Sequence, residues 1–366
     1  MSLKFDKLVT QVQTMGRAIA HRTEDISERG QRARQVLDAA DNLDLLHHKI
    51  EVVREHDAGY RGAAPHTEAI NQPYPVATAP SQAVIVAVDG SQVYPDLHAA
   101  ALYYLINLGY FIYYHGNGDR PVEGCEPQLY YNDTDLRERN GYGAVIQNSV
   151  VNDRRTVQEM QILTQVSLHE REYQVPLLSL MDGRLLWVAQ PTVPEAAKLN
   201  DYYREAFTNF YDIHQDKRAQ DGHNANLAGY VDSEDSRFLI RLLELLLLDD
   251  DEITKQKLDE PGPFEGLTDA WLLRRVLAPG ERSAIMIQQS PRNKEYRRQI
   301  GDAFEIAFFY LNVGTLSNPH IARIEVPMWV VEAPGAVDEV HGLVLSQCQL
   351  TGRYPYALTR AYELAV

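Results

Sequence analysis

The sequence predicts an α/β protein: a mixed sheet covered by helices, preceded by a helical N-terminal stretch. Three observations carry that expectation. From Ala83 onward, short apolar runs of strand character alternate with longer segments of helical period. Two of those runs end in Asp-Gly, the pattern of a buried strand that stops at a sheet edge. The chain has 366 residues, 45% apolar and 23% charged, enough for two domains or one elaborated domain with a sizeable core.

Residues 1–57 read as helix, because Phe5, Leu8, Val9, Val12, Met15 and Ile19 recur at three- and four-residue spacing. Their apolar stripe suits either a second subunit or the chain's own core. The segment RGAAPHTEAINQPYPVATAPSQ follows, rich in Pro, Ala and Gly and without apolar period. The expected division is therefore an extension and connector at 1–81 and a main domain at 82–366. Strands are expected at Ala83–Val88, Val175–Met181, Ser283–Gln288 and Ile321–Val330, and helices at 154–173, 195–218, 236–249, 269–277 and 337–365. The apolar stretch Leu97–Tyr114 contains His98, Asn107, Gly109 and five tyrosines. It fits buried strand rather than a bilayer span of about 20 apolar residues, so no membrane association is expected. The leucines at 245–248 run into the acids at 249–252, as a buried helix end entering a solvated loop.

Composition then removes several function classes. Lys and Arg number 35 against 51 Asp and Glu, a net charge of −16, which excludes a protein that coats nucleic acid with a wholly basic surface. Metal-binding carboxylates and a local basic path are compatible with that balance. Cys125 and Cys348 form neither a metal knuckle nor a disulfide framework, which suits a reducing, cytoplasmic setting. The start, MSLKFDKLVTQVQ, lacks the apolar core of a secretion signal. GxxxxGK[ST], GxGxxG, HExxH, GxSxG and CxxC are all absent. ATP hydrolysis through a P-loop is thereby excluded.

What remains is the pair of Asp-Gly junctions, AVIVAVDGSQ with Asp89 and VPLLSLMDGRLLW with Asp182. Each strand delivers a carboxylate to its C-terminal end, where ligands of open α/β sheets bind, and the glycine lets the backbone turn away. The two lie 93 residues apart, too far to share one turn. If their strands are neighbours the carboxylates repel, and a divalent cation with oxygen preference, Mg²⁺ or Mn²⁺, relieves the repulsion. A third acid is available in VNDRRTVQEM, where Arg155 and Glu159 stand four apart on one helix face. Read plainly they form a surface ion pair; read functionally, Glu159 is a third ligand and Arg155 orients it or a phosphate. Glu170 and Glu172 compete for the role but lie close to the start of the second strand, at the end away from Asp182.

At this point the residues resemble a known family. AVDGSQ, RxxxE, LMDGRLLW, AGYVDSEDSRFLIRLL, GLTDAWLLRRVLAPGERSA, ARIEVPMWV and GRYPYALTRAYELAV occur in that order over about residues 80–366. The set is similar to the NurA nucleases, partners of the HerA hexameric DNA translocase. The resemblance implies an RNase H-like, Piwi-like core with helical additions, a homodimer, and manganese-dependent degradation of DNA ends in double-strand-break repair. Residue by residue it implies catalytic roles for Asp89, Glu159, Asp182 and, within GRYP, Tyr354. The chain departs from the pattern at Ala361-Tyr362, where the family carries Ala-His; no histidine follows His341.

The chemistry of the residues agrees: phosphodiester hydrolysis needs an activated water and charge relief at the leaving oxygen, and a metal held by Asp89, Glu159 and Asp182 is the minimum device. For the substrate, the window Arg274–Arg298 holds seven basic and two acidic residues. Arg282, Arg292, Lys294, Arg297 and Arg298, with Arg155, are the expected phosphate contacts. Tyr296 fits either base stacking or a core position. At Tyr362 a phenol is a poorer metal ligand than imidazole, so an active but weakened nuclease, shifted from Mn²⁺ towards Mg²⁺, is expected. The competing function is a NurA-like subunit without catalysis that docks the translocase or guides DNA ends.

Overall fold

A computed structural model of the chain describes residues 8–137, 143–191, 193, 195–232 and 235–366. Phe5, the side chain of Ile19, and Ser233 and Glu234 of the AGYVDSEDS motif lie outside the described residues. In chain order the helices α1 (Val9–Asp38) and α2 (Leu43–His56) precede strands β1 (Gly62–Pro65), β2 (Ala83–Val93), β3 (Tyr104–His115) and β4 (Val122–Tyr130). Helices α3 (Asp133–Leu136) and α4 (Asn148–Glu170), strand β5 (Leu177–Asp182), helix α5 (Ala196–Asp221) and strand β6 (Ala225–Val231) come next. Then follow α6 (Phe238–Leu245), α7 (Lys255–Asp259), α8 (Asp269–Leu273), β7 (Met286–Gln289) and α9 (Pro291–Ile300). The chain ends with β8 (Ile306–Asn312), β9 (Ile321–Pro327), α10 (Met328–Glu332), α11 (Ala336–Thr351) and α12 (Tyr356–Ala365).

These elements form two compact units. The first comprises Met1–Pro73, Glu234–Leu277 and Ser283–Pro291. In it Asn42 caps α2 by accepting the Leu45 N–H at 3.0 Å, and Leu46, Ile50 and Val53 bury the inner face of that helix. β1 and β7 pair antiparallel, Gly62 opposite Gln289. The acidic loop after the leucine run is not merely solvated: Asp250 accepts from Lys49 Nζ and bonds His48 Nε2, both at 2.7 Å. At the start of α1, Val9, Val12 and Met15 stay 53–55% exposed.

The second unit, Tyr74–Ser233, Ala278–Arg282 and Arg292–Val366, holds a seven-strand run in the order β8-β9-β6-β5-β2-β3-β4. β2, β3 and β4 make an antiparallel meander, and β5 and β6 run parallel to β2. β9 turns antiparallel to β6, and β8 pairs antiparallel with β9. A meander extended by parallel strands and flanked by helices is the RNase H-like mixed sheet that the family resemblance implies. α4 and α12 lie on opposite faces: Gly90 of β2 faces Arg155 and Glu159 of α4, whereas Gly109, paired with Asp89, faces the backbone of Ala361–Ala365.

Two sequence expectations change in detail, and the strand reading of the apolar stretch before Tyr114 holds. β2 does not stop at Asp89; its ladder with β3 runs on to Val93 opposite Leu105, so Gly90 is a strand residue, not a turn. The apolar stretch ending at Tyr114 forms most of β3, and among the described residues no helix is long and apolar enough to cross a membrane. The C-terminal helix is two helices, divided where Gly352 takes φ +105° and Pro355 precedes α12.

Arg323 and Glu325 on β9 form an ion pair of 2.7 Å whose side chains are both 0% exposed. Glu325 also accepts the Leu185 N–H at 2.9 Å, which fixes the chain just beyond β5. Replacing Glu325 by Leu removes the carboxylate that pairs with a buried guanidinium and accepts the Leu185 N–H, and we expect a loss of about 3–5 kcal/mol of stability in urea unfolding. A loss below about 1 kcal/mol would mean that the pair is solvated and does not anchor the sheet.

Candidate active site at the strand ends

Asp89 and Asp182 reach one edge because β2 and β5 are parallel neighbours. Their register pairs Val88 with Met181, so the next residues on the two strands are the two aspartates. Past Asp182 the backbone turns away through Gly183, whose φ of +96° favours glycine. Past Asp89 the strand continues, and the glycine serves a different end. A Cβ on Gly90 would stand 2.6 Å from Glu159 Oε1 and 2.8 Å from Arg155 Cγ, so only a bare backbone admits these two side chains of α4. The Gly90 N–H donates to Asp89 Oδ1 at 2.7 Å and also supports the Glu159 carboxylate.

Glu159 is buried, at 6% exposure, and its one close cation among the described residues is Arg155, Nε to Oε1 3.2 Å. Arg155 is braced in turn: Nη1 donates to Gln92 Oε1 at 2.7 Å, Gln92 bonds Tyr94, and Tyr94 bonds Asn152. Burial pushes the Glu159 carboxyl up to about 8; Arg155 works against that rise, and the charges of Asp89 and Asp182 add to it. Burial also raises Asp89, opposed by the Gly90 N–H and supplemented by Asp182. Asp182 is open to solvent on one side, yet crowding by the surrounding protein raises its carboxyl, while the hydroxyl of Tyr354 donates to it and lowers it.

Tyr354 stands in the loop between α11 and α12, its ring edge-on to Tyr230 at 5.1 Å. Burial and the nearby Asp182 push its phenol far above the ordinary range, so it donates a proton in a hydrogen bond and does not act as a base. A fourth acid, Asp232, bears on both Asp182 and Tyr354 through its charge. Sequence reasoning passed over it, although it too ends an apolar strand, AGYVD, in the manner of the other two aspartates.

The expected phosphate contacts separate. Arg155 belongs to the carboxylate edge. Arg282 is 6% exposed, its guanidinium over the rings of Tyr74 and Phe309 at 4.6 and 5.8 Å, a core position rather than a surface cation. Arg292, Arg297 and Arg298 are exposed on α9, with Lys294 partly so, and Arg297 pairs with Asp302 at 2.5 Å. α9 precedes β8, which runs parallel to β6 by way of β9, so strand polarity places it at the end of the sheet away from Asp182. Tyr296 is 2% exposed and donates to the Trp187 carbonyl, which fixes its core reading. Tyr362 lies on α12 at 56% exposure and, among the described residues, its phenol has no hydrogen-bond, ionic or ring partner.

The donor chemistry fits a hard divalent cation: oxygen ligands only, carboxyls raised by burial and mutual repulsion, and a single guanidinium in opposition. Among the described residues no group of three or more His, Cys, Asp and Glu side chains forms a ready metal-holding cluster.

This is a mixed α/β sheet with two carboxylates, Asp89 and Asp182, side by side on parallel strands. The chain belongs to the NurA domain family, whose model matches residues 83–366. It is similar to the crystal structure of the NurA nuclease from Sulfolobus solfataricus, at 12% identity and TM-score 0.49 over 100% of this chain and 92% of that one. It is also similar to a crystal structure of NurA with manganese, at 12% identity and TM-score 0.37 over 88% and 93%. The catalytic domain of human Endonuclease V matches at 13% identity and TM-score 0.32 over 88% and 94%. No curated protein sequence matches the chain.

The raised Glu159 carboxyl has a measurable consequence in metal-free protein. A folded carboxyl that titrates near 8 against an ordinary value of 4.5 leaves stability intact at low pH and erodes it as pH rises between those values. Glu159→Gln removes the titrating group. In EDTA its melting temperature should exceed that of the parent at pH 8 and match it near pH 4. Equal melting temperatures at both pH values would show that Glu159 is ionised and solvated.

Proposed function

We propose that the chain is a metal-dependent DNA nuclease, working at DNA ends in double-strand-break repair beside a HerA-type hexameric translocase, with 82–366 as its nuclease domain. The observation that supports this most is the arrival of Asp89 and Asp182 side by side on parallel strands, with Glu159 against Gly90 and Tyr354 bonded to Asp182, within the family's matched region. Asp89, Glu159 and Asp182 are the residues that would hold Mn²⁺ or Mg²⁺. Such an ion, when bound, lowers the pKa of a water and offsets charge at the departing oxygen.

The chain's own residues do the rest. Arg155, held by Gln92, keeps Glu159 oriented and presents positive charge where an incoming phosphate would otherwise meet only acids. Tyr354 fixes the Asp182 carboxylate by donation. The exposed Arg292, Arg297 and Arg298, with the partly exposed Lys294, serve as a remote grip on the DNA backbone. ATP dependence falls to the translocase, since the chain has no P-loop. The exposed Val9, Val12 and Met15 favour a homodimer, and the cytoplasm suits the two free cysteines.

Asp89→Asn and Asp182→Asn should each cut Mn²⁺-supported cleavage of DNA by about 10²–10³-fold or more while the protein still melts cooperatively. A parent protein that binds DNA but cleaves nothing under Mn²⁺ or Mg²⁺ would replace this reading with that of a non-catalytic NurA-like subunit. Reversing Arg297 and Arg298 to Glu should weaken binding and flatten the log–log salt slope by about 1 for each phosphate that is no longer neutralised. An unchanged slope would remove α9 from the DNA path.

A further inference from the structure

The proposed function leaves unused an acid and an imidazole that the sheet brings to the same edge. Asp232 follows the last residue of β6, the strand beside β5, and the register sets Asp182 level with Tyr230. Asp232 is two residues further on, and side chains two apart on an extended chain share a face. That face is the one on which the Tyr230 ring meets Tyr354, the residue that donates to Asp182.

On its other side Asp232 Oδ1 is bonded by His320 Nε2. A carboxylate only accepts, so Nε2 carries the hydrogen of this bond. His320 is not a loose surface histidine. Its side chain is 12% exposed and it stands immediately before β9, the strand antiparallel to β6 with Val231 opposite Arg323. Its backbone N–H donates to Asn312 Oδ1 at 3.2 Å, and its carbonyl accepts from Val313 at 2.9 Å. Asn312 is itself 0% exposed and also takes the Gly314 N–H at 3.1 Å, so the hairpin between β8 and β9 holds the imidazole in place.

A clamp that served the hairpin alone would have no use for an acid on the face that carries Asp182. Like charges on neighbouring strands cost stability, and the register brings Asp232 to the edge that already carries Asp89 and Asp182. An arrangement that opposes folding in this way is accounted for by a ligand that relieves it.

We propose that Asp232 is a further carboxylate of the metal-binding edge and that His320 is the positioning residue that holds it there. The inference rests on the nuclease reading of the same site. It is tested on the full chain, without DNA, by Mn²⁺ titration followed through the EPR signal of the free ion. Asp232→Asn is the informative variant, because its amide oxygen still accepts from His320 and the hairpin clamp survives while the charge is lost. Affinity should fall about 10–100-fold. His320→Leu should fall by a similar factor, and His320→Gln, whose amide still donates, should recover most of the loss. Melting curves for each variant separate metal loss from unfolding. If Asp232→Asn and His320→Leu bind Mn²⁺ like the parent while Asp182→Asn does not, the pair is a structural clamp and the inference fails. If Asp89→Asn and Asp182→Asn also bind like the parent, it is the nuclease reading that fails.

Discussion

The site depends on how closely helix α4 approaches strand β2 at Gly90. A helix normally packs on a sheet through interleaved side chains, which keeps its polar groups well clear of the strand backbone. At Gly90 there is no side chain to interleave, and Glu159 Oε1 and Arg155 Cγ occupy the space where a Cβ would be. The carboxylate therefore comes within reach of the same N–H that supports Asp89. Burial of Glu159, its raised carboxyl and its dependence on Arg155 all follow from that one approach. So does the bracing of Arg155 by Gln92, which takes up one of the donors that the pairing with Glu159 leaves over.

The two Asp-Gly junctions look alike in sequence and differ in physics. Gly183 is a turn glycine, and the chain beyond it folds back so that Leu185 donates to Glu325, itself paired with Arg323 inside the sheet. Tyr203 adds a hydrogen bond of 2.9 Å to the Leu185 carbonyl, so the corner after Asp182 is held from β9 and from α5. Asp182 is thus rigid from behind and open in front. Asp89 is held the other way, inside a strand that continues for four more residues and pairs throughout with β3. One acid ends a strand and the other interrupts a ladder. Because the strands are parallel and in register, the two arrive side by side.

The legible part of the fold was what local pattern carries. Alternating apolar runs and helical periods gave the α/β class, the major helices, and the strands that present Asp89 and Asp182. Within α4 the four-residue spacing of Arg155 and Glu159 was enough to place them on one face, and the structure turns that face to β2. What stayed hidden depends on strand direction or on distant partners. The basic cluster of α9 is evident in the sequence, but which end of the sheet it occupies follows from the polarity of β8, and that required β9 to be antiparallel to β6. Arg282 reads as one more cation until its aromatic surroundings are known. His320 and Asp232 meet across 88 residues, and no spacing rule joins a histidine before one strand to an aspartate after another.

The charge of the whole chain then fits its site. A protein at −16 repels a polyanion at long range, and a cluster of carboxylates repels it most where the chemistry would occur. Arg155 alone cannot reverse that sign, because its guanidinium is already committed to Glu159 and Gln92. Tyr354 adds no charge, since its phenol is held protonated by burial and by the acids around it. Positive potential at this edge must therefore come with a cation, and the same cation that relieves the carboxylates would be what lets a phosphate approach. On the proposed nuclease reading, coupling of this kind would make substrate access conditional on metal loading, unlike a basic groove that holds DNA at all times.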